Sequence, residues 1–322
     1  MPVKPRRSIL PILGLVTAAA LLAVCLYLFV PLSGNIQYIL RLRTLKVLAI
    51  VLTGASIAYA TVIFQTLTNN RILTPSIIGM DAVHQLFQTV LVFFWGTTTL
   101  QFAQKQVNFI LTVAMMVGFA LVLYILLFRR DGTNLHFLLL VGIVMGTLFT
   151  SLTTFLQVLI DPNEYAALQG SMFASFTRVN TDVLLLAGGF TLPTMLYGLR
   201  YLRLLDAIAL GRDHAVNLGV DYGPVVKRLM VVVAILMAVS TALVGPITFL
   251  GLLVANISYH LVDTYRRAPL IWCAVGVGVF ALVGSQFIVE RYLSYSVPIS
   301  VVINFAGGIY FLYLVLKERA AW

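Results

Sequence analysis

The sequence predicts an all-α, polytopic membrane protein with about ten transmembrane helices, and three observations carry that prediction. Hydrophobic residues make up 61% of the 322 residues and charged ones 10%, with a mean hydropathy of +1.00, well outside the range of ordinary soluble domains. Apolar runs long enough to cross a hydrocarbon core of about 30 Å as helices recur with short polar gaps. These runs show no polar alternation, so strands are a poor alternative in a medium where the backbone must satisfy its own hydrogen bonds.

The first run, Ser8 to Pro31, follows Lys4, Arg6 and Arg7 and has no polar cleavage region at its end, so it reads as an anchor rather than a removed signal. Val47 to Leu67 is the second, and on it Thr61 and Gln65, with Thr68 just beyond, fall at i, i+4 and i+7. Ala82 to Trp95 is the shortest, and Val107 to Phe128 is uniformly apolar. In the fifth, Phe137 to Ile160, Thr150, Thr154 and Gln157 repeat the polar spacing, and Gly142 and Gly146 form a GxxxG pair that permits close helix approach. Thr181 to Tyr201 is the sixth; Gly245 and Pro246 divide the seventh, Leu229 to Gly245, from the eighth, Pro246 to Val262. Pro269 to Val289 and Ser300 to Leu316 complete the set. The two polar faces have two readings: Ser and Thr bonded back to their own helix or joining neighbours, or an uncharged wet path for a bulky polar solute.

An even number of spans puts both basic ends on one side. That side receives Lys4, Arg6, Arg7, Arg71, Arg129, Arg130, Arg200, Arg203, Arg212, Lys227, Arg228, Arg266, Arg267, Lys317 and Arg319, which is 15 of the 21 basic residues. Arg41, Arg43, Lys46, Lys105, Arg178 and Arg291 fall on the other, so the positive-inside bias places both termini in the cytoplasm. The net charge of +10 is then mostly topology, and nothing resembles a nucleic-acid surface. Cys25 and Cys273 lie in apolar runs, and the four histidines are scattered, so neither a metal site nor a cofactor is expected. The chain has no GxxxxGK[ST], HExxH or GxSxG sequence. Asp81, Asp182 and Asp206 sit at expected span ends, leaving span centres almost free of ionisable groups, which argues against an intramembrane enzyme or an ion-coupled carrier.

One polar island, Leu204 to Arg228, interrupts this pattern. Gly211 and Gly219 break it into two short helical pieces, and Asp213 stands near the start of the second, where the helix dipole favours an anion. Its apolar residues Ile208, Leu210, Ala215, Val216 and Leu218 need a partner, either the protein's own face or a separate soluble subunit.

ALGRDHAVNLGVDYG in this island resembles the cytoplasmic loop of the iron-chelate uptake permeases, a family of ATP-binding-cassette importers that includes the cobalamin permease. Three other segments agree in order and spacing: Val51 to Gly79, with Gly54, Gln65, Asn70, Pro75 and Gly79; Val244 to Asn256, with Gly245, Pro246, Ile247, Phe249, Gly251 and Leu252; and Ser296 to Gly308. Arg71, Ala255 and Asn256 depart from the pattern, yet the resemblance covers essentially the whole chain.

The resemblance implies a single permease domain over residues 1–322 with the cobalamin-permease fold, working with a second, homologous permease subunit, two ATP-binding subunits and an extracytoplasmic binding protein. It makes 202–228 the cytoplasmic loop that couples to the ATPase, through Leu210, Gly211, Asp213, Ala215, Val216, Leu218 and Gly219. Arg43 and Lys46 match the two basic positions that meet the binding protein, and Arg291 matches a third, against a plain alternative of interfacial anchoring. ATP hydrolysis would then belong to a partner chain, and the cargo would be a ferric siderophore crossing the bacterial inner membrane past Thr61, Gln65, Thr68, Thr150, Thr154 and Gln157. A cobalamin or haem importer of the same fold, and an ATP-independent secondary transporter, are the alternatives.

Overall fold

A computed structural model describes residues 9–29, 36–102, 105–128, 135–177 and 179–319. Lys4, Arg6, Arg7, Arg129, Arg130 and Arg178, used above for orientation, lie outside them. The described chain is helical, without strands: α1 Ile9–Phe29, α2 Ile36–Leu67, α3 Met80–Phe102, α4 Lys105–Phe128, α5 Leu135–Leu159, α6 Pro162–Met172, α7 Thr181–Leu199, α8 Leu202–Ile208, α9 Arg212–Asn217, α10 Tyr222–Val244, α11 Leu250–Leu261, α12 Arg267–Arg291 and α13 Ile299–Arg319. Each of the ten expected runs carries a helix. Seven of these helices are long and apolar enough to cross a membrane, and α11 and α13 add shorter apolar stretches.

Helix boundaries differ from the hydropathy runs where charge and glycine intervene. The second helix begins at Ile36, so Arg41, Arg43 and Lys46 stand on its first turns; nothing between Ile36 and Val47 breaks a helix, and long basic side chains extend to the interface. In α3, Gly96 adopts φ 72°, ψ 171° and kinks the helix. Pro246 cannot continue α10, and Gly245 at φ 107° turns the chain towards α11.

The bundle is organised around α2. Every residue from Ser56 to Leu67 is buried, and the helix packs against α1, α7, α8, α10, α11 and α12. Such encirclement requires neighbours without side chains at the closest points. A Cβ on Gly54 would lie 3.2 Å from Leu282 and 3.3 Å from the backbone of Gly278, and one on Gly198 would strike the ring of Tyr59. Gly251 of α11 faces Thr61 in the same way.

The chain leaving α2 turns back into the bundle. The Gln65 side-chain amide donates to the Arg71 carbonyl at 2.6 Å, and Asn256 donates to the same oxygen at 3.2 Å. A 3-10 turn, Pro75–Ile78, then brings Gly79, at φ 92°, onto α5. The contact is made at Gly142 and Gly146: a Cβ on Gly142 would lie 2.7 Å from the Ile78 side chain and 2.9 Å from its Cα. The GxxxG pair therefore receives an inserted turn rather than a second straight helix. As a consequence α3 starts inside the protein. Asp81, expected at a cheap span end, is enclosed there and accepts a hydrogen bond from Thr248 at 3.1 Å, and His84 one turn later is 5% exposed.

Gly142→Leu should destabilise the protein by about 1–3 kcal/mol through overpacking against Ile78. Gly118→Leu on α4, where a Cβ meets nothing within 4 Å, should leave the melting temperature of the detergent-solubilised protein nearly unchanged.

Candidate functional site

The polar island folds into two short helices with divided faces. In α8, Leu205 and Ile208 are buried against α2 and α12. Ala215 of α9 is fully buried, whereas Leu210, Val216 and Leu218 are 60%, 51% and 64% exposed. The five apolar residues of the island thus separate into two that hold the pair to the protein and three that project outwards without a partner in this chain. Leu210, Val216 and Leu218 form an exposed apolar cluster on one short stretch of chain.

The pair's shape is set by its glycines. Gly211, at φ 100°, carries the chain between the helices, and the Ala215 amide donates to its carbonyl at 3.0 Å. Gly219, at φ 83°, ends α9: its amide donates to the Val216 carbonyl and that of Val220 to the Ala215 carbonyl, a Schellman closure. A Cβ at either position meets no neighbour, so the requirement for glycine is conformational. Asp213 lies in the first turn of α9. Asp206, expected only as a carboxylate at a span end, also fixes the pair to the bundle: it accepts the backbone N–H of Arg267 at 2.6 Å. That amide belongs to the first turn of α12, where free N–H groups and the helix dipole both favour an anion.

At the opposite end of α2, Arg43 and Lys46 occupy a network. Arg43 donates to the carbonyls of Tyr27 and Leu28 at 3.0 and 3.2 Å, covering the end of α1. Lys46 pairs with Glu290 at 3.2 Å and donates to the Tyr295 hydroxyl at 2.9 Å; the Tyr27 hydroxyl donates to the same Glu290 oxygen at 2.8 Å. Burial, reinforced by the hydrogen bond to and the charge of Glu290, pushes the Tyr295 phenol above its ordinary range, so it stays protonated. Arg291, beside Glu290, is exposed. The three predicted basic residues gather at one end of the molecule, two of them with internal partners. Glu290 had no sequence signal, because its partner lies 244 positions away.

The two polar faces have different surroundings. Thr61, Gln65 and Thr68 are buried; Gln65 holds the Arg71 carbonyl, and Thr68 bonds back to Phe64 at 2.8 Å. On α5, Thr150 and Thr154 bond back to Gly146 and Thr150, as Thr147 and Ser151 do to their own preceding turns. All four lie on the exposed surface of this chain, and Gln157 reaches the Met172 sulfur at 3.5 Å. The first face is interior, and the second is open to whatever stands beside α5.

Comparison with known proteins follows this geometry. The FecCD transport family model matches residues 31–317. The chain is 52% identical over 310 residues to the petrobactin import system permease protein YclO of Bacillus subtilis, covering 96% of this chain and 98% of that one. It is 34% identical over 282 residues to the petrobactin import system permease protein FatC of Bacillus anthracis, covering 88% and 80%. Among solved structures, an ABC transporter of the metal-chelate type in an inward-facing conformation shares the fold with a TM-score of 0.81 at 23% identity, over 96% of this chain and 100% of the other.

The Lys46–Glu290 pair is sheltered, with side chains 16% and 23% exposed, so a double-mutant cycle of Lys46→Met and Glu290→Gln should return a coupling of about 1 kcal/mol in thermal melts. A coupling near zero would show that the network contributes nothing to holding α1, α2 and α12 together.

Proposed function

The chain belongs to the FecCD transport family, and we propose that it is the membrane-spanning permease subunit of an ATP-binding-cassette importer that carries a ferric siderophore, of the petrobactin type, into the cell. ATP hydrolysis resides in separate subunits, and a binding protein delivers the cargo. The observation that carries the reading is the outward projection of Leu210, Val216 and Leu218 from a glycine-set helix pair whose other face is locked to α2 and α12. Such a pair cannot take up motion by flexing, so displacement of the pair moves the bundle with it. Closure of an ATPase dimer beneath it becomes rocking of membrane helices. Residues 1–322 act as one permease domain, with 202–228 as the coupling loop and with that end and both termini in the cytoplasm of a bacterial inner membrane.

The substrate class rests on the 52% identity over nearly the whole chain to a petrobactin import permease. In this reading the exposed face of α5, with Thr150, Thr154 and Gln157, meets a second permease subunit and lines the path between them. Thr61, Gln65 and Thr68 lie behind it and hold the inserted turn that supports α5. A neutral, hydroxyl-rich wall suits a bulky polar chelate, which passes without a charge trapping it. Arg43, Lys46 and Arg291 form the extracytoplasmic docking end. Arg291 is free to meet a carboxylate of the binding protein, and the network around Glu290 fixes the height at which it stands.

Leu218→Asp should lower co-purification of the ATPase subunit about tenfold or more, because a charge replaces an apolar anchor in a desolvated contact. Its exposure keeps the cost to the permease's own stability within about 0.5 kcal/mol. Uptake of ferric petrobactin by cells should fall in parallel. Retained uptake in cells carrying the variant would remove the coupling assignment. Arg291→Glu should impair binding-protein association while ATPase co-purification persists.

A further inference from the structure

Between the second half of α7 and the first half of α10 runs a groove of about 870 Å³. It belongs neither to the coupling pair nor to the polar face of α5. Its chemistry is graded along its length. The inner part is walled by Pro193, Val231, Val232 and Ile235, and the mouth carries Lys227 and Arg228 with the hydroxyls of Tyr197 and Tyr201. Two sequence features shape it: Pro193 interrupts the hydrogen-bond ladder of α7 from inside, and Gly223 withholds a side chain from the facing turn of α10, where a Cβ would meet nothing within 4 Å.

Among the described residues, none supplies a negative charge to the mouth. The Lys46–Glu290 ion pair stands at the other end of the molecule. Arg228 reaches only the Tyr201 hydroxyl, at 3.5 Å, and Tyr201 in turn shares a hydrogen bond of 2.9 Å with Tyr197. Among the described residues, neither Lys227 nor Arg228 has a carboxylate against it, and no Asp or Glu lines the groove. Around the groove, Leu192 and Leu196 of α7 are 58% and 64% exposed, so this flank of the bundle faces an apolar medium.

We infer that this groove is a binding site for one anionic phospholipid, its phosphate held by Lys227 and Arg228 at the mouth and an acyl chain lying between Pro193 and Ile235. The fit is one of charge and polarity together: cations alone would suit any anion, and apolar walls alone any lipid, but their succession over one groove matches a headgroup joined to a chain. Arg228 and the one phenol O–H left free by the Tyr197–Tyr201 hydrogen bond supply donors to phosphate oxygens, and Lys227 supplies a second charge. The mouth lies at the α8–α9 end of the bundle, so on the orientation proposed above the lipid comes from the cytoplasmic leaflet. The site itself depends only on the groove, not on the cargo or on ATP.

The test is native mass spectrometry of the purified permease complex after equilibration with vesicles of equal phosphatidylglycerol and phosphatidylcholine. One phosphatidylglycerol per copy of this chain should be retained in preference to phosphatidylcholine. Removing two interfacial charges in Lys227→Gln/Arg228→Gln should weaken that retention about thirtyfold, at about fivefold per cation. Ile235→Trp, which fills the apolar part and leaves both charges, should abolish retention as well, and Leu192→Ala outside the groove should not change it. Equal retention of the two lipids, or retention unaffected by either groove variant, would overturn the proposal. So would displacement by millimolar inorganic phosphate, which would make the mouth a free-anion site, or loss of the ATPase with lipid retention intact, which would assign the cations to that subunit.

Discussion

The stretch of α2 from Ser56 to Leu67 is enclosed on every side, so it needs neighbours that can come close, and the packing around α2 depends on that single constraint. Gly54, Gly198 and Gly251 each remove the atom that would hold α12, α7 or α11 away from it. In lipid there is no hydrophobic drive to bring apolar helices together, so close packing and buried hydrogen bonds carry the association. The same constraint explains the inserted turn. Gln65 and Asn256 satisfy the carbonyl of Arg71 where the chain leaves α2, and an irregular segment can remain at depth because protein, not lipid, surrounds it.

Mechanical coupling follows from the packing. The α8–α9 pair touches α2 through α8 and is pinned to the first turn of α12 by Asp206. In the proposed importer, a force applied to Leu210 or Leu218 would reach α2 and α12, which pack on each other and on α8. At the far end Glu290 joins the last turn of α12 to Lys46 of α2 and Tyr27 of α1. The same rigid unit therefore connects the surface assigned to the ATPase with the surface assigned to the binding protein.

Much of this architecture is legible in the sequence, for reasons that also mark where reading stops. Lipid demands long apolar helices, so all ten runs could be located from hydropathy. Gly211 and Gly219 announce the α8–α9 helix pair because their backbone angles are ones other residues avoid. Helix ends were less legible: hydropathy does not register that Arg41, Arg43 and Lys46 continue a helix. Asp81 does stand at the start of α3, but its enclosure left no trace in the apolar pattern, because the inserted turn creates it. Periodicity showed that Thr61 and Thr150 each lie on a polar stripe, yet not that one stripe faces inwards and the other outwards. Partners distant in sequence, such as Glu290 for Lys46 and Arg267 for Asp206, leave no local trace.

Sheltered carboxylates are a usual part of ion-coupled carriers, and Asp81, in the first turn of α3, is a sheltered carboxylate. Its hydrogen bond to Thr248 gives it a structural task, joining the start of α3 to the break between α10 and α11. The source of energy is therefore the point on which the account stands. Its most direct measurement is uptake of ferric petrobactin into proteoliposomes holding the assembled importer, with binding protein outside and nucleotide within. The account predicts accumulation that requires ATP hydrolysis and binding protein and is unchanged when proton and sodium gradients are collapsed. Accumulation driven by an ion gradient without ATP would contradict it.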